Sequence, residues 1–458
     1  MVLIFFKSTL IMSDFCIFCG TSGAFCKISS GTTSSGTYAN ILGGGGHTAC
    51  GDNHTIINGS NNETHGPAQW ILIGNGRDHV NCGQYSVILN GIQNCIGEIG
   101  SRKTIGNGQC NCICSGVHHT IENGCINTIS TYSGYILGYT ILNGCNNIID
   151  TTAVGCNCYN TIMNGESNLI SGCINYSILG NGLGNTMSGS YSSLLNGANN
   201  RICNGTNQFI GNGADNVIDT SSGSYNNQNT IINGCDNGIY ADHLNTIISG
   251  QQNAICNGTN NGIITGYLNC IDGTDYNFIM GGARDVISGS CFSAIGAGES
   301  NCIVSACHSG VFGGCFNTVS GNYSFIGTGA CNTVNTDYSG TVSGYCNTIS
   351  AINSFIGAGY CNSIISGHSS SILGGYNNTS SGNYSSILGG SGNTVTHNHA
   401  AVFGQNISSQ ADHTFHVECL NAIHTPVQPG STLPHGTVFK LCNGFPPPNC
   451  ALPLYIVN

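Results

Sequence analysis

The chain has 458 residues, including 69 Gly and 28 Cys, and carries only 8 Lys+Arg against 19 Asp+Glu, a formal net charge of −11. With 6% charged residues it falls far below the usual quarter of globular domains, so solubility must come from Asn, Ser and Thr. The acidic balance argues against nucleic acid or an anionic membrane surface as partner, because both need basic clusters.

The opening stretch MVLIFFKSTLIMSDFCIFCG is apolar but is broken by Lys7 and Asp14. No basic start precedes an uninterrupted apolar core, and no span approaches the ~20 residues of a membrane helix, so neither a signal peptide nor membrane insertion is expected. Translation from Met12 would remove its most apolar part. Cys16-Ile-Phe-Cys19 has the spacing of a redox or zinc pair, yet no second such pair or His pair accompanies it. With the Ser/Gly/Thr-rich SSGTTSSGT that follows, residues 1–40 read as a base or docking segment.

From residue 41 to 406 one unit recurs: an apolar pair or Phe-Ile, a glycine-rich corner, an Asn, a second short apolar step and a Gly/Ser corner. Its corner glycine falls at Gly298, Gly314, Gly329, Gly344, Gly359, Gly375 and Gly390, spaced by 15 or 16 residues, and upstream the same anchor runs from Gly44 to Gly282. Gaps ending at Gly144, Gly165 and Gly234 stretch to 20 or 21 residues and read as loops inserted at a corner. With Gln405 filling the last anchor position there are about 23 units. A period this short marks a solenoid whose turns bury their apolar faces only by stacking, and units of Gly, Ser, Asn and Thr must turn by short strands. The predicted fold is therefore all-β, a parallel β-solenoid.

Stacking predicts the columns. Ile326, Ile356, Ile372, Ile387 and Val402 form one inward column, and Val319, Val334, Ile349, Ile364 and Val395 a second, with Thr341 and Thr379 as interruptions. Two columns imply two strands per turn. The Asn before the second strand (Asn317, Asn332, Asn347, Asn362, Asn393) predicts a stacked amide ladder that satisfies corner backbone groups. Because successive strand residues point to opposite faces, Leu373 and Leu388 must point outward beside inward Ile372 and Ile387. An apolar stripe of that length exceeds what a soluble monomer exposes, and three chains around an axis is the simplest closed way to cover it. At ~4.8 Å per turn the repeats would span roughly 105 Å.

These units, such as SSILGGSGNTV at 385–395 and SFIGAGYCNSI at 354–364, resemble the head repeats of YadA-like trimeric autotransporter adhesins, repeats also found in fibre and tail-spike proteins of phages and large DNA viruses. The resemblance implies a left-handed β-roll in an intertwined homotrimer used for adhesion, with a host-surface glycan or receptor as partner. The absence of a clear secretory signal, coiled-coil stalk or membrane β-barrel segment points away from an autotransporter. It favours a viral or phage-like fibre on a virion surface or outside the cell.

The cysteines spread through the repeats, with Cys331, Cys346 and Cys361 each 15 apart. They read either as thiols stacked in a column or as disulfides. Aligned side chains on parallel strands keep their Cβ atoms about 4.8 Å apart, beyond the ~3.5–4.5 Å of a disulfide, so this column should not be zipped between turns. Sequons at Asn53, Asn58, Asn62, Asn204, Asn257, Asn322, Asn383 and Asn406 would carry glycans only along a secretory route.

No nucleophile elbow, P-loop or recurring acid/base set appears, and the chain is expected not to be an enzyme. The catalytic alternative is a tail-spike-like glycan depolymerase, with Asp275, Asp285 and Glu299 as its nearest carboxylates. An ice-binding surface would use the outward Thr318, Thr333, Thr348 and Thr394, but Ser363 breaks that row. At the end of the repeats, His397 and His399 flank Asn398. In an extended segment both would point to one side, so three chains could aim six imidazoles at a transition-metal ion on the axis; otherwise they are corner histidines in solvent. No other cofactor is expected. Beyond residue 406 the repeat stops, and residues 407–458, with strand-like HTFHVECL and ALPLYIVN, read as a small β cap that sets chain register or as an exposed tip.

Overall fold

In a computed structural model of the protein, the described residues are 31–66, 70–131, 138–151, 158–172, 174–220 and 227–418, with short strands at 16–18, 25–27, 438–439 and 455–456. Cys19, most of the cap and the added residues of the three long turns lie outside them. The chain divides into two units, Met1–Val304 and Ser305–Asn458. Each is built only of strands among the described residues and is a parallel β-solenoid, with about 23 turns counted over the two. Among the described residues no helix is long and apolar enough to cross a membrane.

Each turn holds two strands of mostly two residues, paired in parallel with the equivalent strand of the next turn. In the C-terminal unit, Phe355-Ile356 pairs with Ser371-Ile372 and that pair with Ser386-Ile387, while Thr348-Ile349 pairs with Ser363-Ile364. In the N-terminal unit, Thr230-Ile231 continues through Thr246-Ile247 to Gly262-Ile263. Parallel pairing already joins Thr33–Ser35 to Thr48–Cys50, and it ends where Ala401–Phe403 meets Phe415–Val417. The regular pairing thus extends somewhat past 41–406 at both ends. At 438–439 and 455–456 the chain forms a separate antiparallel pair.

The two apolar columns exist as the periodicity predicts. Ile326, Ile356, Ile372, Ile387 and Val402 are fully buried, as are Val319, Val334, Ile349, Ile364 and Val395. Thr341 interrupts the first, its hydroxyl donating to the Ser343 carbonyl at 3.3 Å. The second interruption needs correction. Thr379 pairs with Ser363 and Thr394 on the outer side, and it is Ser380 that stands in register with Ile364 and Val395. Ser380 is tolerated inside because its hydroxyl meets that of Ser385 at 2.5 Å.

The glycine anchor has a steric cause. Gly375 has φ +104°, and a Cβ there would lie 2.1 Å from the carbonyl oxygen of Gly390 in the next turn. Only glycine lets one turn's corner nest on the next at this point. Its neighbour Gly374 is different: a Cβ there meets nothing closer than 3.7 Å, and Ala358 fills the equivalent place one turn earlier. Gly375→Ala should therefore cost at least about 2 kcal/mol of stability through strain and clash, whereas Gly374→Ala should be neutral or slightly stabilising. Thermal unfolding of the two variants checks this; equal midpoints would refute it.

Candidate functional surface

Beneath the corners runs the Asn ladder, fully buried. The Asn347 N–H donates to Asn332 Oδ1 at 3.0 Å, its own Oδ1 accepts from the Asn362 N–H at 3.0 Å, and its Nδ2 donates to the Gly359 carbonyl at 3.1 Å. The same bonds join Asn127, Asn147 and Asn168 in the N-terminal unit at 3.0 and 3.1 Å, across turns that are 20 and 21 residues long. Insertions therefore leave the ladder intact. The sequon residue Asn62 belongs to this ladder, with Nδ2 committed to the Gly76 carbonyl at 3.0 Å, and is closed to a glycan in the folded chain.

A second polar column stands at the opposite corner. Ser324, Ser339, Ser354 and Ser370 are buried, and each accepts from the backbone N–H of its successor, for example Ser339 N–H to Ser324 Oγ at 3.1 Å. Sequence reasoning missed it, although serines recur two residues before the inward Ile with the same 15-residue step.

Three of the proposed functional carboxylates fall into unrelated settings. Asp275 accepts from the Thr259 N–H and hydroxyl at 2.9 Å each, and Glu299 pairs with Arg284 at 3.2 Å on the surface. Asp285 occupies an Asn position of the ladder and is fully buried, so it cannot face a glycan. Its Oδ1 accepts from the Asn301 N–H at 2.8 Å, while Oδ2 takes the place of an amide nitrogen and has no donor. Burial pushes its pKa up. A neutral carboxyl would donate from Oδ2 as the amide does; a carboxylate would face a corner carbonyl. Because the folded state holds this proton more tightly, the favourable contribution is present at low pH and lost as pH rises above the ordinary carboxylate range. Asp285→Asn should thus raise the unfolding midpoint at pH 7 more than at pH 4, and a variant offset independent of pH would contradict the assignment.

The outer faces carry what an external partner would meet. Following the inward residue of the first strands, one outward row is largely apolar: Leu373 is 52% exposed, Phe312 66%, and Val342, Leu388 and Phe403 are likewise exposed in the C-terminal unit, as are Ile232, Ile248, Ile264 and Met280 in the N-terminal unit, with Gly327 and Glu122 among its interruptions. Gly357, in the same row, is glycine because a Cβ would lie 2.4 Å from the Leu373 carbonyl oxygen. On the second strands of the C-terminal unit the outward row is Thr318, Thr333, Thr348, Ser363, Thr379 and Thr394.

The corners bear stacked aromatic rings, with Tyr323 and Tyr338 at left-handed φ. Tyr323 lies on Tyr338 with centroids 5.1 Å apart and planes at 1°, and Tyr360 lies between Tyr345 and Tyr376 at 5.0 and 5.3 Å. Their faces cover one another, so edges and hydroxyls meet solvent.

His399 belongs to this stacking. It has φ +52° in a turn, with its ring between Tyr384 at 4.9 Å and His413 at 4.6 Å. His397 instead places Nδ1 2.8 Å from Ser409 Oγ. The segment is a turn rather than extended, because the corner needs a left-handed residue there, and the two imidazoles have separate environments. Among the described residues no cluster of three or more His, Cys, Asp or Glu is arranged to hold a metal.

Cys331, Cys346 and Cys361 sit at left-handed corner positions, φ +54° to +57°, as free thiols, so the column is not zipped. Apart from Cys291 and Cys307, which are in disulfide form, every described cysteine is a thiol. No protein-family model and no curated protein matches the chain.

Proposed function

We propose that the protein is a structural fibre or spike subunit of a virion or cell surface, that it acts in attachment rather than catalysis, and that it associates as a homotrimer. The observation that carries this reading is the row of exposed apolar side chains on the first strands, presented at a regular interval by a scaffold whose interior is already complete. The inward residues are fully buried within one chain, so the outward row serves no purpose in the fold of that chain. A row of this kind is larger than a soluble monomer usually leaves in water, and parallel copies related by a rotation axis would cover it with equivalent residues. The solenoid's continuous backbone pairing and buried amide ladder suit a load-bearing or spacing element. The likeness of the units to YadA-like head repeats supports the same role.

Light scattering on the purified chain tests the association. The expected mass is three times that of the chain, and a monodisperse monomer would overturn the reading. Asp at Leu373 and Leu388 together should dissociate the assembly or misfold it, because two carboxylates would be buried unpaired. Asp at Ser371, on the same strand but outside the apolar row, should leave the mass unchanged.

A further inference from the structure

The outer face of the second strands holds, in the N-terminal unit, a group of thiols that the fibre reading does not use. Cys95 and Cys112 are aligned on neighbouring parallel strands, each beside a fully buried Ile, and Cys114 follows Cys112 on the same face. The Sγ atoms of Cys112 and Cys114 are 3.5 Å apart, with Cys114 exposed and Cys112 partly covered.

Beneath them lies a buried cation. Lys103 stands in the second polar column, between Ser86 and His119, and is fully buried. Its Nζ donates to the carbonyls of Gly97 at 2.9 Å and Ile99 at 2.5 Å, and no described carboxylate pairs with it. A buried ammonium with only carbonyl partners is costly unless an anion stands near. The ionisable groups beside it are the thiols Cys82, Cys95, Cys112 and Cys114.

We propose that Cys112 and Cys114 form a thiol–disulfide exchange site for small-molecule disulfides, with Cys114 as the attacking thiolate, Cys112 as the resolving thiol and Lys103 as the buried counter-charge.

The electrostatics agree with these roles. The hydrogen bond from Cys112, followed by the charge of Lys103, brings the Cys114 thiol down to about 6, against the opposing effects of burial and Asp150. Cys112 is pushed up, first by its bond to Cys114 and then by Cys95, and keeps its proton. Burial lowers Lys103 to about 8, which leaves it mostly charged at neutral pH. The Cys256 and Cys270 pair of the same unit provides the contrast: with no such cation in its surroundings, burial pushes Cys270 up to about 12.

The reaction balances without a metal or cofactor. Cys114 Sγ attacks one sulfur of the added disulfide, forming a mixed disulfide and expelling one thiolate, which takes a proton from water. Cys112 then loses its proton to solvent and attacks Cys114 Sγ, forming the Cys112–Cys114 bond and expelling the second thiolate. Two protein thiols are oxidised, and the small disulfide is reduced to two thiols.

The test uses the full-length protein with oxidised glutathione at pH 7, quenched with acid and mapped by mass spectrometry. The wild type should lose two hydrogens with Cys112 linked to Cys114, and Cys112→Ser, which keeps a donor toward Cys114 but cannot resolve, should instead accumulate glutathione on Cys114. Lys103→Met should move the pH midpoint of Cys114 alkylation upward, since the lysine charge is one of the influences that hold this thiol down. Should that variant fail to fold, the pH profile of iodoacetamide alkylation in the wild type replaces it, with a midpoint near 6 at Cys114. Consumption of Cys114 at the same rate and with the same pH midpoint as Cys331 would overturn the proposal, as would the absence of a mixed disulfide on Cys114 in Cys112→Ser.

Discussion

The structure depends on one buried side chain per turn. An Asn in the ladder makes bonds that no apolar residue can make: it accepts from the backbone of the next turn and donates to a corner carbonyl that strand pairing leaves over. A buried carbonyl or N–H without a partner costs about 1–3 kcal/mol, so a tight glycine corner stacked on another glycine corner would be unfavourable without this bridge. The amide is the one short, uncharged group with a donor and an acceptor at the right separation. Where His47 and His79 replace it, Nδ1 takes over the acceptor role toward the Asn62 and Asn94 N–H groups at 3.1 Å. Burial holds both imidazoles below their ordinary pKa, and that suits the unprotonated acceptor nitrogen.

The other features follow from nesting. The anchor glycine must lack a Cβ because the next turn's carbonyl occupies that space, and so it recurs with the period of the fold. With both corners held by polar ladders, two residues per strand suffice to bury one Ile each, and the outward neighbours are left to composition. This freedom lets one row be largely apolar along the first strands and, in the C-terminal unit, another be threonine-rich along the second. A chain with so few charges can therefore still differ from face to face. Repeat proteins of this kind are stabilised by contacts between adjacent turns, so a defect in one turn is felt mainly by its neighbours.

Much of this was legible from the residues because the anchors, the Asn positions and the inward Ile positions share one period. One interruption of the second column is displaced by a single residue: stacking places Ser380, five residues after Gly375, inside, and Thr379 outside. The Ser385 hydroxyl that satisfies Ser380 belongs to another column. The extended geometry expected from His397 to His399 is replaced by a turn, since the left-handed corner at His399 is a property of stacking that the short sequence THNHA does not display. The Lys103 group was hidden for a different reason. Its members lie on separate turns and in separate columns, and neither a lysine in a serine column nor thiols two apart on one strand stand out until the turns are stacked.

The central claim is that the Asn ladder clamps each turn to the next. Amide hydrogen exchange on the native protein and on Asn347→Ala measures it most directly, residue by residue. The account predicts that the Asn347 and Asn362 N–H groups are among the slowest to exchange in the native protein, and that the variant loses protection at Asn362, whose acceptor is removed, while Asn393 keeps its protection. Exchange at Asn362 as fast as at the exposed corners in the native protein, or unchanged in the variant, would contradict it.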